Sequence, residues 1–221
     1  MDITGARPKA YAAARAQDGA APATFAYELG ILSRRFNLAT YSELIQYKPR
    51  FPKIRFQNAR KGWVSDADIL ALISELPDPI RPAVRFCYIT GWRLSSEVLT
   101  LEWSQVTSDA IRLEPGTTKS GEGREWPLAF HPELTGSSSS NAFTLEWWSV
   151  ARGTSSWVFH REGRRIRNIK EAWVRACQRA GLKLIPHDLH RSAVRNLERA
   201  GVPRSVAMKL VGHKTEATYR R

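Results

Sequence analysis

The stretch ITGWRLSSEVLTLEWSQV, residues 89–106, decides how this chain folds. Gly91 interrupts the helical run RPAVRFCYIT that leads into it. A short helix is expected next, over LSSEVLTL. It sets Glu97 four residues after Arg93, one turn on, so that the carboxylate can orient the guanidinium. Leu99, Leu101 and Trp103 then follow at every second position.

Upstream of this stretch, Ser65 and Asp68 form a capping-box pattern ahead of the apolar run ILALISEL, and Asp78-Pro79 open the next helix. Downstream, AIRLEPGTTKSGEGREWPLAF starts at Ala110. Its runs IRLE and EWPLAF read as the arms of an antiparallel hairpin. TGSSSSNAF is a low-complexity surface loop. WVFH, 157–160, reads as a further strand, with Glu162-Gly163 turning the chain. NIKEAWVRACQRAG is an amphipathic helix that stops at Gly181. A helix from His187 to Ala200 stops at Gly201, and another runs from Pro203 to near Gly212. The expected fold class is mainly α with a small antiparallel β-hairpin or sheet (α+β).

Three regions are expected along the chain. Residues 1–22 are an Ala- and Pro-rich lead-in without structure. Residues 23–58 hold a helix, over 23–40, and then a basic connector in which Pro49 and Pro52 break any helix. Residues 59–221 form the main domain.

Thirty-four Lys and Arg face 21 Asp and Glu, giving a net charge of +13 and a sequence pI of about 10.3. Such an imbalance favours a polyanionic partner, nucleic acid first and a membrane surface second. No apolar run reaches membrane-spanning length, and the N-terminus has no secretory apolar core. Cys87 and Cys177 sit in apolar helical patterns and read as two buried thiols in a reducing cytoplasm. There is no metal or cofactor motif.

Three segments, 89–106, 117–128 and 186–221, together resemble the tyrosine recombinases of the phage-integrase family. Thr90, Gly91, Arg93, Glu97, Leu99, Leu101 and Trp103 match its first box. His187 and Leu189 match the second, and Leu210, Gly212 and His213 the third. The resemblance covers roughly residues 60 to 221. It implies a catalytic domain that binds double-stranded DNA, with copies of the chain assembling on the DNA in a bacterial, nucleoid-associated cytoplasm. It also implies DNA integration and recombination through a 3′-phosphotyrosine. The pentacoordinate phosphate gathers charge on its non-bridging oxygens, so the site needs fixed cationic donors and a general acid. Arginine forks grip two oxygens at once. By resemblance Arg93 is the first such clamp, Lys119 protonates the leaving hydroxyl, and His187 and His213 complete the set. Outside the resemblance, Arg93–Glu97 is a surface ion pair, Lys119 a solvated turn lysine and His187 a helix-start histidine.

Two departures bear on activity. The family's second arginine falls at His190, which lacks the planar fork and is only partly charged near neutrality. Arg191 is turned by about 100° from that position. The family's nucleophile falls one position past Arg221, while Tyr219 matches an aromatic packing position. The expectation is therefore a truncated recombinase domain that binds DNA and does not cut it alone. Three alternatives stay open: an active enzyme that uses Tyr219 or a tyrosine in trans, a non-catalytic DNA-binding regulator, and a type IB topoisomerase-like enzyme.

Overall fold

The computed structural model describes residues 4–56, 63–118, 121–130 and 155–219. The chain divides into two units, Met1–Arg60 and Lys61–Arg221.

The first unit contains α1 (Ala6–Gln17) and α2 (Pro22–Tyr41). The lead-in expected to lack structure thus carries a twelve-residue helix. Alanine is the best helix former, and composition alone hid that. Helix α1 is also tied to α2: Arg15 donates to both Glu28 carboxylate oxygens at 3.1 Å, and the Tyr11 hydroxyl donates to Oε2 at 2.8 Å. Phe25 and Leu29 are the buried apolar side chains of α2. The start of the connector has no regular structure, and Phe51 packs at 5.7 Å from Phe36.

The second unit is mainly helical, with two small antiparallel sheets. Helix α3 (Asp66–Glu75) starts on the expected capping box, in which the Asp68 amide donates to Ser65 Oγ at 3.1 Å. Helix α4 (Arg81–Thr90) is buried almost throughout and packs on α3 and on α6 (Pro186–Arg199). Helix α5 (Lys170–Arg179) covers α3. Helix α7 (Arg204–Val211) lies on α6, and a single turn, α8 (Glu216–Tyr219), follows it. Phe86, Trp92, Trp126 and Phe159 are its largest fully buried aromatics. Both cysteines are buried and free.

The segment after Gly91 departs from the expected helix. Only Leu94–Val98 winds regularly, and it does so as a wide π turn. The Arg93 carbonyl accepts from the Glu97 and Val98 amides, at 2.9 and 3.0 Å, and the Leu94 carbonyl from Leu99 at 2.8 Å. Five-residue spacing of this kind is uncommon and recurs at functional sites.

Strands β1 (Ala110–Leu113) and β2 (Arg124–Pro127) form the expected hairpin, with Ile111 opposite Trp126 and Leu113 opposite Arg124. Ile111, Leu113, Arg124 and Trp126 are buried, while Arg112 and Glu125 pair at 2.6 Å on the solvent side. The strand expected over WVFH is displaced. Trp157 makes an isolated bridge to Glu102, and Val158 and Phe159 enter the core. The second sheet is β3 (His160–Arg161) with β4 (Arg164–Arg165), turned by Glu162 and Gly163, both at positive φ. The expected TGSSSSNAF loop lies outside the described residues.

Candidate functional site

Helix α4 delivers its C-terminus to the site through Gly91. This residue has φ +68°, and a Cβ on it would press on Ala193 of α6 and Val211 of α7. The two helices can therefore close on the turn only over a bare α-carbon. Trp92, fully buried, donates from Nε1 to the Leu210 carbonyl at 3.0 Å and fastens the turn to α7. Arg93 follows with its side chain one-third exposed.

Glu97 is buried and acts on three groups at once. It accepts the Arg93 backbone amide on Oε2 at 2.8 Å and Arg93 Nη1 on Oε1 at 2.7 Å. The same Oε1 accepts Arg124 Nη2 at 2.5 Å. The wide turn brings its carboxylate back over the residue that begins the turn. Arg93 is thus fixed at one end and open to solvent at the other, the geometry an oxyanion donor needs.

Arg124 was not singled out by the sequence reading. Its side chain is 2% exposed, and Nη1 donates to the Val211 carbonyl at 3.0 Å. One signal was available: Arg124 alternates with Trp126 and so lies on the apolar face of β2.

The histidines come from α6 and from the turn after α7. Pro186 occupies the first turn of α6, and the Ile185 amide donates to the Asp188 carboxylate at 2.9 Å, so the helix starts just ahead of His187. His187 is exposed, and its ring stacks on His190 with centroids 5.4 Å apart. His190 is buried. Its Nδ1 meets the Gly91 carbonyl, and its Nε2 lies 2.6 Å from His213 Nε2. His213 follows Gly212, which ends α7 in the left-handed conformation at φ +77°. Tyr219 is buried and sets its ring edge-on to His213 at 5.7 Å.

Electrostatics favour the neutral forms of His190 and His213. Burial, then the charges of His187 and Arg93, lower His190 below the ordinary histidine value. Burial, then His190, Arg93 and Arg124, push His213 down to about 4. Burial, then the Glu198 charge, raises the Tyr219 hydroxyl, the reverse of what activates a nucleophile.

Of the five residues named from the sequence, Arg93, His187, His190 and His213 converge, and Lys119 lies outside the described residues. His190 differs from the others. Both its ring nitrogens are engaged by neighbours, so it stands behind His213. Among the described residues, no group of three His, Cys, Asp or Glu side chains is placed to hold a metal ion, and no helix is long and apolar enough to cross a membrane.

Residues 63–221 match the sequence model of the phage integrase family. The integrase of Salmonella phage P22 is 27% identical over 175 residues, an alignment that takes in 75% of this chain. The chain spans 44% of that relative's length. Among solved structures, a lambda integrase dimer bound to a COC′ core site superposes with a TM-score of 0.78 at 18% identity, covering all of this chain and 65% of that one. The XerH recombinase bound to its difH substrate superposes at 0.65 with 16% identity, covering 99% of this chain and 66% of that one. At such identities the superpositions establish a shared fold.

Proposed function

The chain belongs to the phage integrase family, the tyrosine recombinases of site-specific DNA recombination, and from that premise we propose that Arg93, Lys119, His187 and His213 hold one phosphodiester of duplex DNA. In the reaction of this family a tyrosine hydroxyl attacks the phosphorus. The bond to the tyrosine oxygen forms as its hydroxyl proton passes to solvent, the bond to the 5′ oxygen breaks, and the departing 5′ oxygen takes up a proton. Lys119 supplies that proton, while Arg93 faces the non-bridging oxygens and His213 joins it on taking up a proton. Two separated segments meet here: His187 and His213 both flank His190, His190 bonds the Gly91 carbonyl two residues ahead of Arg93, and buried Glu97 anchors Arg93; this meeting carries the reading.

Cleavage by these residues is slow, because His190 replaces the second arginine. Loss of one such donor typically costs on the order of a hundred- to a thousandfold in rate. Tyr219 packs on His213 and is not the attacking group. The DNA partner is engaged by more than one copy of the chain.

The test is duplex binding across a salt series, followed by trapping of covalent adduct on a nicked duplex. Affinity falls by about 0.9 powers of salt for each phosphate neutralised. Arg93→Ala weakens binding and lowers that slope by about one. His190→Arg increases adduct. A flat salt response overturns the reading.

A further inference from the structure

We propose that Arg124 is a positioning residue that sets Arg93 and His213 at the separation one phosphate requires. The inference rests on the functional reading above and adds a residue that touches no DNA. Arg124 lies on the hairpin, yet its guanidinium reaches the other two boxes. Through Glu97 Oε1 it shares an acceptor with Arg93. Through the Val211 carbonyl it holds the last turn of α7, two residues ahead of His213. Gly212 completes the seat. A Cβ there would run into the Arg124 guanidinium, so the box glycine is bare where the arginine crosses it.

A buried guanidinium–carboxylate pair is weak evidence for stability, since desolvation offsets much of the attraction. Here Arg124 Nε also lies buried with no acceptor among the described residues. What the arrangement supplies is geometry. The planar fork spans two acceptors on different elements at a fixed angle, which lysine cannot do. A role confined to stability would not tie the contribution of Arg124 to that of Arg93.

A groove is lined in part by Arg124, Gly212, His213, Leu210, Lys209 and Glu122.

The experiment compares the wild-type chain with Arg124→Gln, Arg124→Lys, Arg124→Ala, Arg93→Ala and the Arg93→Ala/Arg124→Gln double variant. Three quantities are read: thermal unfolding, duplex affinity, and the His213 titration followed by NMR. Arg124→Gln is expected to weaken duplex binding about tenfold to a hundredfold. The double variant loses less affinity than the sum of the two single losses, because both changes act on one coupled unit. The His213 titration moves upward in Arg124→Gln as a neighbouring positive charge goes. Low-millimolar guanidinium, set against equal sodium chloride, restores part of the affinity lost in Arg124→Ala. Arg124→Lys keeps the charge, loses one of the two acceptors, and still binds weakly. Additive losses in the double variant, or wild-type affinity in a folded Arg124→Gln or Arg124→Lys, overturn the proposal. Should Arg124→Gln fail to fold, Arg124→Lys decides. A wild-type chain that binds no duplex sinks the functional reading instead, and an unmoved His213 titration then sinks this one as well.

Discussion

His190 and His213 face each other through their Nε2 atoms at 2.6 Å, and the Gly91 carbonyl decides which of them carries the shared proton. A carbonyl only accepts, so His190 Nδ1 holds a hydrogen. In the neutral ring His190 Nε2 is then an acceptor, and His213 Nε2 is the donor. His213 Nδ1 is left without a hydrogen, buried, and with no partner among the described residues. The uncharged pair therefore offers an anion no N–H from His213 until one more proton arrives.

Under the proposed function, duplex binding is expected to be coupled to proton uptake. A phosphate at the site favours the charged imidazole and lifts His213 from about 4 toward neutrality. Affinity increases as pH falls from 8 to 5.5 at constant ionic strength, with up to about one proton taken up per bound site. Calorimetry in buffers of different ionisation enthalpy measures the uptake. His213→Gln removes it. Affinity independent of pH in the parent chain contradicts the tautomer assignment.

Stability depends on pH with the opposite consequence. Burial and positive neighbours hold His190 and His213 below the unfolded value, near 6.5. The unfolded chain thus binds more protons between that value and the folded one. Stability is full above about pH 6.5 and is lost as pH falls toward 4. Urea midpoints at pH 7.5 and 5 measure the difference, which is smaller in His213→Gln.

Gly91→Ala destabilises the second unit by about 2–4 kcal/mol. A left-handed residue with a Cβ costs about 1–2, and pressure on Ala193 and Val211 adds a similar amount. Because α4, α6 and α7 meet at this point, His190 and His213 shift with it. Chemical denaturation gives the energy, and the imidazole resonances of the folded fraction report the shift.

Ser192→Ala tests how the start of the second unit is held. Ser192 Oγ accepts the buried Val64 amide at 2.7 Å and donates to the Asp188 carbonyl at 2.9 Å. Removing it strands a buried N–H at a cost of about 1–3 kcal/mol. Amide hydrogen exchange at Val64 rises more than exchange in α4. Equal changes in both would mean global destabilisation alone.

The helices of the second unit were legible because their ends carry local signals: Ser65 and Asp68 for α3, Gly91 for α4, Gly201 for α6, Gly212 for α7. Arg93 with Glu97 was legible for the same reason, both lying within one turn. Arg124 was not, since its acceptors lie 27 residues upstream and 87 downstream. The pairing of His190 with His213 spans 23 residues and depends on how α6 meets the end of α7. Helix α1 was overlooked because alanine gives little apolar contrast while favouring the helix. The widened turn at Leu94–Val98 left no mark in the spacing, since Glu97 sits four residues from Arg93 in an α turn as well.

The bare α-carbon of Gly212 has an evolutionary consequence. Two constraints meet there, a backbone conformation and a guanidinium from another strand. Asparagine or aspartate tolerates the first, and neither satisfies the second while Arg124 is present. Positions 124 and 212 are thus expected to drift as a pair: once Arg124 is lost, the glycine becomes replaceable by asparagine, and a reversion at 124 is then barred until glycine returns. A saturation library at both positions would show this epistasis as variants viable only in combination.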